Sequence, residues 1–394
     1  MRPALFALLL GLVGPLLLCR GVWSIQSAGL GRLATSLCAE IIRPNGYSCI
    51  EHKPVTDDGF ILGLQNIPCP RGQSEPAGGP PVLLQHGVTG AGDNFVSNSS
   101  PYQSLGFALA DAGFDVWIAN NRAVQWSHGH VTLNSSDVAY WDWTYDELAS
   151  YDLKAITEYV YNQRNRTFGY IGHSQGTLMI FAGLTGGQFK TQIQGYLNAV
   201  VHLTPVAFVS HITPPLIKLA FQLSVDQIIK LDGNGQFDPK FLVDLTCTNP
   251  LITAIVCSNV YWNVFGQSNH VNNSHLDFYS HYYPQATSTF NINHYGESFR
   301  SNTFQFYSRG FLHNPPKYDL TTFPSDLPQQ WWAGGVDALA DPTDVSKLLA
   351  ELPRSNNIQL NTLPDYGHID FIFGVTAYID VYPDIMTFLL SHAS

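Results

Sequence analysis

Short, unbroken apolar runs alternate with stretches of helical period along most of this chain. Pro81 to Gln85, Phe114 to Ala119, Phe168 to Ile171, Leu197 to Leu203, Gln329 to Ala333 and Ile358 to Leu363 read as strands. Between and after them, Tyr102 to Ala112, Asp146 to Gln163, Gly176 to Leu184, Pro342 to Leu352 and Val375 to His392 predict helices. In the second of these, Leu148, Tyr151, Leu153, Ile156, Tyr159 and Val160 recur at helical spacing. Strands alternating with helices predict a parallel sheet with helices on both faces. Strands apolar throughout fit burial on both sides. Ahead of this pattern, residues 48–67 predict a hairpin about Thr56-Asp57-Asp58-Gly59, a turn of the Asp-Gly kind.

The rhythm stops at residues 205–310, which are rich in Pro, Asn, Phe, Tyr and His, and then resumes. The organisation read from this is an α/β core over 38–204 and 311–394, interrupted by a cap at 205–310. Residues 70–80, rich in Pro and Gly, predict an exposed loop. At the start, Arg2 is followed by an apolar run from Ala4 to Leu18 and then small residues. That is the build of a secretory signal peptide over residues 1–24. Gly11, Gly14 and Pro15 break the run, which is shorter than the roughly 20 residues of a spanning helix. No later segment is long and apolar enough to span a bilayer, so no membrane-spanning segment is expected in the mature chain.

Composition narrows the partners. Of 394 residues, 45% are apolar and only 12% charged, and the formal net charge is −11. A chain so poor in charge and rich in aromatics is neither an acidic disordered segment nor a coiled coil. An acidic chain lacks the basic footprint that nucleic acid requires. Four Asn-x-Ser/Thr triplets, at Asn98, Asn134, Asn165 and Asn272, become candidate glycan sites behind a signal peptide, each needing an exposed loop. Beyond the signal there are five cysteines, an odd number, so at least one has no partner within the chain. Cys247 with Cys257, and Cys38 with Cys49, each close a short loop suited to a disulfide in an oxidising compartment. The sequence leaves the connectivity of Cys38, Cys49 and Cys69 open. No Cys-x-x-Cys or His-Glu-x-x-His spacing points to zinc.

The chemistry centres on Gly172-His173-Ser174-Gln175-Gly176, a Gly-x-Ser-x-Gly pattern between a strand and a helix. Such an elbow exposes the serine oxygen at a helix N-terminus, where N–H groups face developing negative charge. A serine hydroxyl needs a base and the base an orienting acid, in the chain order Ser, acid, His. Asp337 follows the late strand directly. Its rival Asp341 precedes Pro342 and reads better as a helix N-cap. Only His368 and His392 lie beyond, and His392 is the third residue from the end. Ser174, Asp337 and His368 are therefore the expected triad, with Asp370 either a supporting residue or a solvated one. Two backbone N–H groups should hold the oxyanion, those of Gln175 and of Val88 in His86-Gly87-Val88-Thr89-Gly90. Phe208, Ile212, Leu216, Leu219 and Phe221 give the cap an apolar surface for an acyl chain or for packing.

Four stretches carry a resemblance: Gly172 to Thr177, His86 to Gly90, Gly334 to Val345 and Tyr366 to Phe371. With Ala139 to Glu147, Tyr151-Asp152-Leu153 and Gly46 to Gly59, they resemble the eukaryotic acid lipases, gastric and lysosomal, and their plant triacylglycerol-lipase relatives, the plant branch most. The resemblance implies an α/β-hydrolase fold, a mostly parallel central sheet flanked by helices with an inserted, mainly helical cap or lid. It implies no cofactor, the same triad, and a lipid ester substrate met at a lipid–water interface. Steryl esterase, short-chain carboxylesterase and acyltransferase activity on the same triad are the alternatives, and an inert binding protein on a hydrolase scaffold is a more distant one. The compartment implied is extracellular or an acidic vacuole or lysosome. The chain departs from the family at Asn121-Arg122-Ala123, where many relatives carry Arg-Gly, and at Ser127-His128-Gly129-His130, where many carry Ser-Arg-x-His. Neither departure touches the triad.

Overall fold

A computed structural model describes residues 36–76, 78–186, 188–230, 233–240, 266–309, 314–354 and 357–393. Residues 1–24, expected to be a signal peptide, and Cys247 and Cys257, expected to pair, lie outside the described residues.

Ten strands are described: β1 (Ile50–His52), β2 (Leu64–Ile67), β3 (Pro81–Gln85), β4 (Asp115–Ala119), β5 (Phe168–His173), β6 (Leu197–Leu203), β7 (Gln236–Phe237), β8 (Thr287–Ser288), β9 (Gln329–Gly334) and β10 (Ile358–Leu363). Eight of them form one sheet in the order β1-β2-β4-β3-β5-β6-β9-β10, while β7 and β8 make a separate ribbon. β1 and β2 are the arms of the expected hairpin, Ile50 opposite Asn66, and β2 also runs antiparallel to β4. Every other pairing in the sheet is parallel.

The two faces of the sheet follow from the period of two along a strand. Val82, Leu84, Val116, Ile118, Ile171 and Val201 point into one apolar cluster. Leu83, Trp117, Tyr170, Val200 and Trp331 point into the other. β3, β4 and β5 are buried along their whole length, whereas β10, at the edge, has only exposed and half-buried positions. Helices α1 (Leu105–Asp111), α2 (Leu153–Arg164) and α3 (Gln175–Thr185) fall where the apolar period places them. α2 continues a helix that begins at Tyr145 and includes a π-helical turn, Leu148–Asp152. That turn delivers the fully buried Asp152 to Arg122, whose Nε and Nη2 it accepts at 2.8 and 2.6 Å.

Between β6 and β9 the chain leaves the sheet and carries, among other elements, α4 (Thr289–Ser301). After β9 come, among other helices, α5 (Pro342–Glu351) and α6 (Tyr382–His392). The single last helix expected over 375–392 is instead two, Ala377–Asp380 and α6. The break at Val381 has a local cause. Pro383 brings no N–H, so it fits only in a first turn, where no N–H partner is needed. Among the described residues no helix is long and apolar enough to cross a membrane.

Candidate active site

The Gly-x-Ser-x-Gly turn is built by close approach. β5 ends at His173 and α3 begins at Gln175, leaving Ser174 at φ 53°, ψ −117°. That is a strained backbone for a residue with a side chain. The turn persists because its neighbours fit only glycine. A Cβ on Gly172 would stand 2.7 Å from the Gly176 carbonyl carbon, and one on Gly176 would stand 2.4 Å from the Gln85 oxygen. The Ser174 N–H donates to the Leu203 carbonyl at 3.0 Å, and the Ser174 carbonyl accepts from the Thr177 N–H and hydroxyl at 2.8 and 2.7 Å. The elbow is thereby tied to β6 and to the first turn of α3.

Three side chains from three loops meet here. The Ser174 Oγ lies 2.8 Å from His368 Nε2. His368 Nδ1 lies 3.0 Å from both carboxylate oxygens of Asp337. A carboxylate only accepts, so Nδ1 carries the proton and Nε2 is left to accept from the hydroxyl. Asp337 is itself fixed, its Oδ1 accepting from the Leu339 and Ala340 N–H groups at 2.9 and 2.8 Å. All three residues are buried. Asp341, the rival acid, instead caps α5, accepting from the Thr343 N–H at 2.8 Å. His392 ends α6, its Nδ1 on the Phe388 carbonyl.

The loop after β3 closes the site from the other side. Gly87 packs on Ser174 so tightly that a Cβ would lie 3.0 Å from the serine Cβ. The His86 ring accepts the Asn121 N–H at Nε2, 3.1 Å, so its Nδ1–H donates to the Gly87 carbonyl at 2.8 Å. Val88, next along, is half-buried and lines the cavity over Ser174. That cavity, about 30 Å³, is also walled by Asn94, Tyr283, Leu339, Ile369, Ile372 and Phe373. Gln175 is buried, and its side-chain oxygen accepts from Asn291 Nδ2 at 2.9 Å and the Tyr295 hydroxyl at 3.1 Å, both on α4. Burial keeps two neighbouring imidazoles neutral: His86 is pushed down to about 4 and His173 to about 3. His173 Nε2–H donates to the His368 carbonyl at 3.1 Å.

The remaining expected positions divide. Cys38 and Cys49 are bridged, with Cα atoms 5.4 Å apart, and Cys69 is a buried free thiol. Asn134 and Asn165 are exposed and Asn272 is half-buried. Asn98, the fourth glycan candidate, differs from these in its surroundings. It is 8% exposed, and its Nδ2 donates to the Gln103 and Ile372 carbonyls at 3.0 and 3.3 Å, so the nitrogen faces protein rather than solvent. Phe208, Ile212 and Phe221 are buried in the apolar cluster, Leu219 is exposed, and the Leu216 side chain lies outside the described residues. Sequence reasoning missed the cavity walls Tyr283, Ile372 and Phe373, which reach the site only through folding. It also passed over His173, which stands inside the motif itself.

Comparison with known proteins identifies the family and the fold. A family model described as a partial alpha/beta-hydrolase lipase region matches residues 38–99, and one for the alpha/beta hydrolase fold matches 80–184. Triacylglycerol lipase 1 of Arabidopsis thaliana is 40% identical over 91% of this chain and 91% of its own. Human gastric triacylglycerol lipase is 34% identical over 87% of this chain and 88% of its own. Human lysosomal acid lipase/cholesteryl ester hydrolase is 33% identical over 95% and 97%. In fold, a soluble variant of the monoglyceride lipase of Saccharomyces cerevisiae superimposes with a TM-score of 0.53 at 15% identity, over 87% of this chain and 97% of that one. The chain belongs to the family of the acid and triacylglycerol lipases, and is a lipase-type carboxylic ester hydrolase of the α/β-hydrolase fold.

Proposed function

We propose that the chain hydrolyses acylglycerol esters through an acyl-enzyme formed on Ser174. His368 takes the Ser174 proton as the serine oxygen attacks the ester carbonyl. The protonated imidazole then gives that proton to the departing alcohol oxygen, leaving the acyl group on Ser174. Water, activated by the same Nε2, releases the acid. Asp337 holds the Nδ1–H tautomer and stabilises the imidazolium that forms in both steps. The N–H groups of Val88 and Gln175 stabilise the tetrahedral oxyanion, each by about 3 kcal/mol. The observation that carries this reading is the relay of 2.8 Å from Ser174 Oγ to His368 Nε2 and 3.0 Å from Nδ1 to Asp337.

The insertion at 205–310 acts as a cap. Supporting this, its Tyr283 forms a wall of the cavity over Ser174, and about 30 Å³ holds roughly one water and no acyl chain. Substrate entry therefore requires the cap to shift, which exposes apolar surface to a lipid–water interface. The acylglycerol class is favoured over steryl esters because the names of the Arabidopsis and gastric relatives specify triacylglycerol, at up to 40% identity. We assign the protein to the secretory pathway, on the leader-like start of the chain and its gastric and lysosomal relatives.

The test is a hydrolysis panel of long-chain triacylglycerol emulsion, short soluble esters and steryl esters from pH 4 to 8, with wild type and Ser174→Ala. Turnover of the emulsion that vanishes in the variant supports the proposal. Undiminished ester hydrolysis by Ser174→Ala refutes the nucleophile, and exclusive turnover of steryl or short esters refutes the substrate class.

A further inference from the structure

His368 stands on an irregular loop, 364–369, and next to it, at the start of the short helix Asp370–Phe373, is a fully buried carboxylate that the catalytic reading does not use. Asp370 Oδ2 accepts the N–H of Gly367, the residue before the base, at 2.7 Å. Its Oδ1 accepts the hydroxyl of Ser268 through a short hydrogen bond. Ser268 belongs to a strap, residues 266–271, in the chain between β6 and β9. The strap runs between the loop of the acid and the loop of the base. At Gly266, whose φ is +82°, a Cβ would lie 2.4 Å from the Cβ of Ala338, the neighbour of Asp337. At Gly367 a Cβ would lie 2.3 Å from the Gln267 carbonyl oxygen. Further on, the strap pairs with the other side of the base loop. Val271 bridges to Gly374, the Val375 N–H donates to the His270 carbonyl at 2.8 Å, and the His270 ring packs 4.1 Å from that of Tyr366.

We propose that Asp370 is a positioning residue which, clamped by Ser268, sets His368 against Ser174, so that the strap couples the inserted segment to the base. The proposal rests on the catalytic reading above. Its physical basis is that the loop has no ladder to hold it. The Gly367 N–H, one residue from the base, finds its acceptor in a carboxylate whose second oxygen is committed to the strap. Without that carboxylate the Tyr366–Gly367 peptide keeps only the bond at its carbonyl, which accepts from the Val336 N–H at 3.3 Å. A displacement of the imidazole by about 1 Å is enough to lower turnover up to about a hundredfold.

The experiment measures kcat and KM on a soluble ester, per active site counted by fluorophosphonate labelling, for Asp370→Ala, Asp370→Asn, Ser268→Ala, the double variant Asp370→Ala/Ser268→Ala, and His368→Ala. Asp370→Ala is expected to lower kcat about tenfold to a hundredfold with KM within about twofold. Asp370→Asn should recover most of it, since an amide oxygen still accepts from Gly367 and its N–H₂ can donate to the Ser268 oxygen. Ser268→Ala should cost several-fold alone and nothing further in the Asp370→Ala background, the signature of one coupled unit. Wild-type kcat per site in Asp370→Ala overturns the proposal, as do losses that multiply in the double variant. Should Asp370→Ala fail to fold, Ser268→Ala decides: a lowered kcat at unchanged KM supports the clamp, and a wild-type kcat overturns it. Activity surviving in His368→Ala overturns the catalytic reading itself, a result distinct from an inert clamp.

Discussion

Gly176 lies against the carbonyl of Gln85 with no room for a side-chain atom, a Cβ there falling 2.4 Å from that oxygen. The contact joins the first turn of α3 to the end of β3, where the His86–Gly90 loop begins. The elbow of Ser174 and the loop opposite it are therefore spaced by one backbone-to-backbone contact. Gly176→Ala must push the two apart. We expect a loss of about 1–3 kcal/mol, the usual range for overpacking, together with lowered turnover. Denaturant unfolding followed alongside ester hydrolysis checks both, and a variant with wild-type stability and rate would contradict the contact.

The two candidate acids separate cleanly by substitution. Asp337 holds the His368 tautomer, so Asp337→Asn should reduce kcat by about 10⁴ with the fold intact. Asp341 caps α5, so Asp341→Ala should cost about 1 kcal/mol of stability and leave kcat unchanged. The opposite pattern would exchange their roles.

Ala123 occupies φ +65°, a region costly for any residue with a Cβ. Relief of that strain outweighs the added freedom of the unfolded chain. Ala123→Gly should therefore stabilise the protein by up to about 1 kcal/mol. A lower unfolding midpoint in the variant would count against strain at this turn.

Asp93, fully buried and accepting the Trp126 Nε1–H at 2.6 Å, is pushed up to about 7 by burial. In the unfolded chain it titrates near the ordinary value of about 3.9. Between those limits the native state binds the extra proton, so this group adds stability as pH falls from 7 and removes it as pH rises. The buried His86 and His173 act in the other direction. Their unfolded forms take up protons below about 6.5 while the native rings remain neutral, so stability is lost as pH falls from there toward 4. Asp93→Asn should accordingly be more stable than wild type at pH 8 and lose that advantage at pH 5. An equal effect at both pH values would show that Asp93 does not titrate in this window.

Expression through a secretory pathway should leave glycans on the exposed Asn134 and Asn165 and none on Asn98, whose Nδ2 is turned into the protein. Enzymatic deglycosylation in heavy-oxygen water followed by peptide mass spectrometry reads each position. A glycan on Asn98 would require that the side chain leave its partners before folding is complete.

Much of this protein is written locally. The alternation of β3 to β6 with their helices is legible because a strand buried on both faces must be apolar throughout, while a helix covering it needs only a stripe. The Gly-x-Ser-x-Gly turn is legible because close backbone approach at 172 and 176 admits no other residue. The N-cap role of Asp341 is legible because Pro342 marks a first turn. These are short-range demands, met within a few residues of the position read.

Other features were decided only when distant segments met. Asn98 satisfies every local rule for a glycan site, yet Ile372, far along the chain, takes its amide. The sequence leaves Asp370 either a supporting residue or a solvated one, and its bond to Ser268, about a hundred positions away, exists only in the folded chain. Burial and hydrogen-bond pairing depend on which surfaces the tertiary fold brings together, and a sequence motif carries no record of its distant neighbours. The residue types needed for ester cleavage are therefore visible in the chain, while their alignment, and the clamp proposed to hold it, belong to the folded molecule.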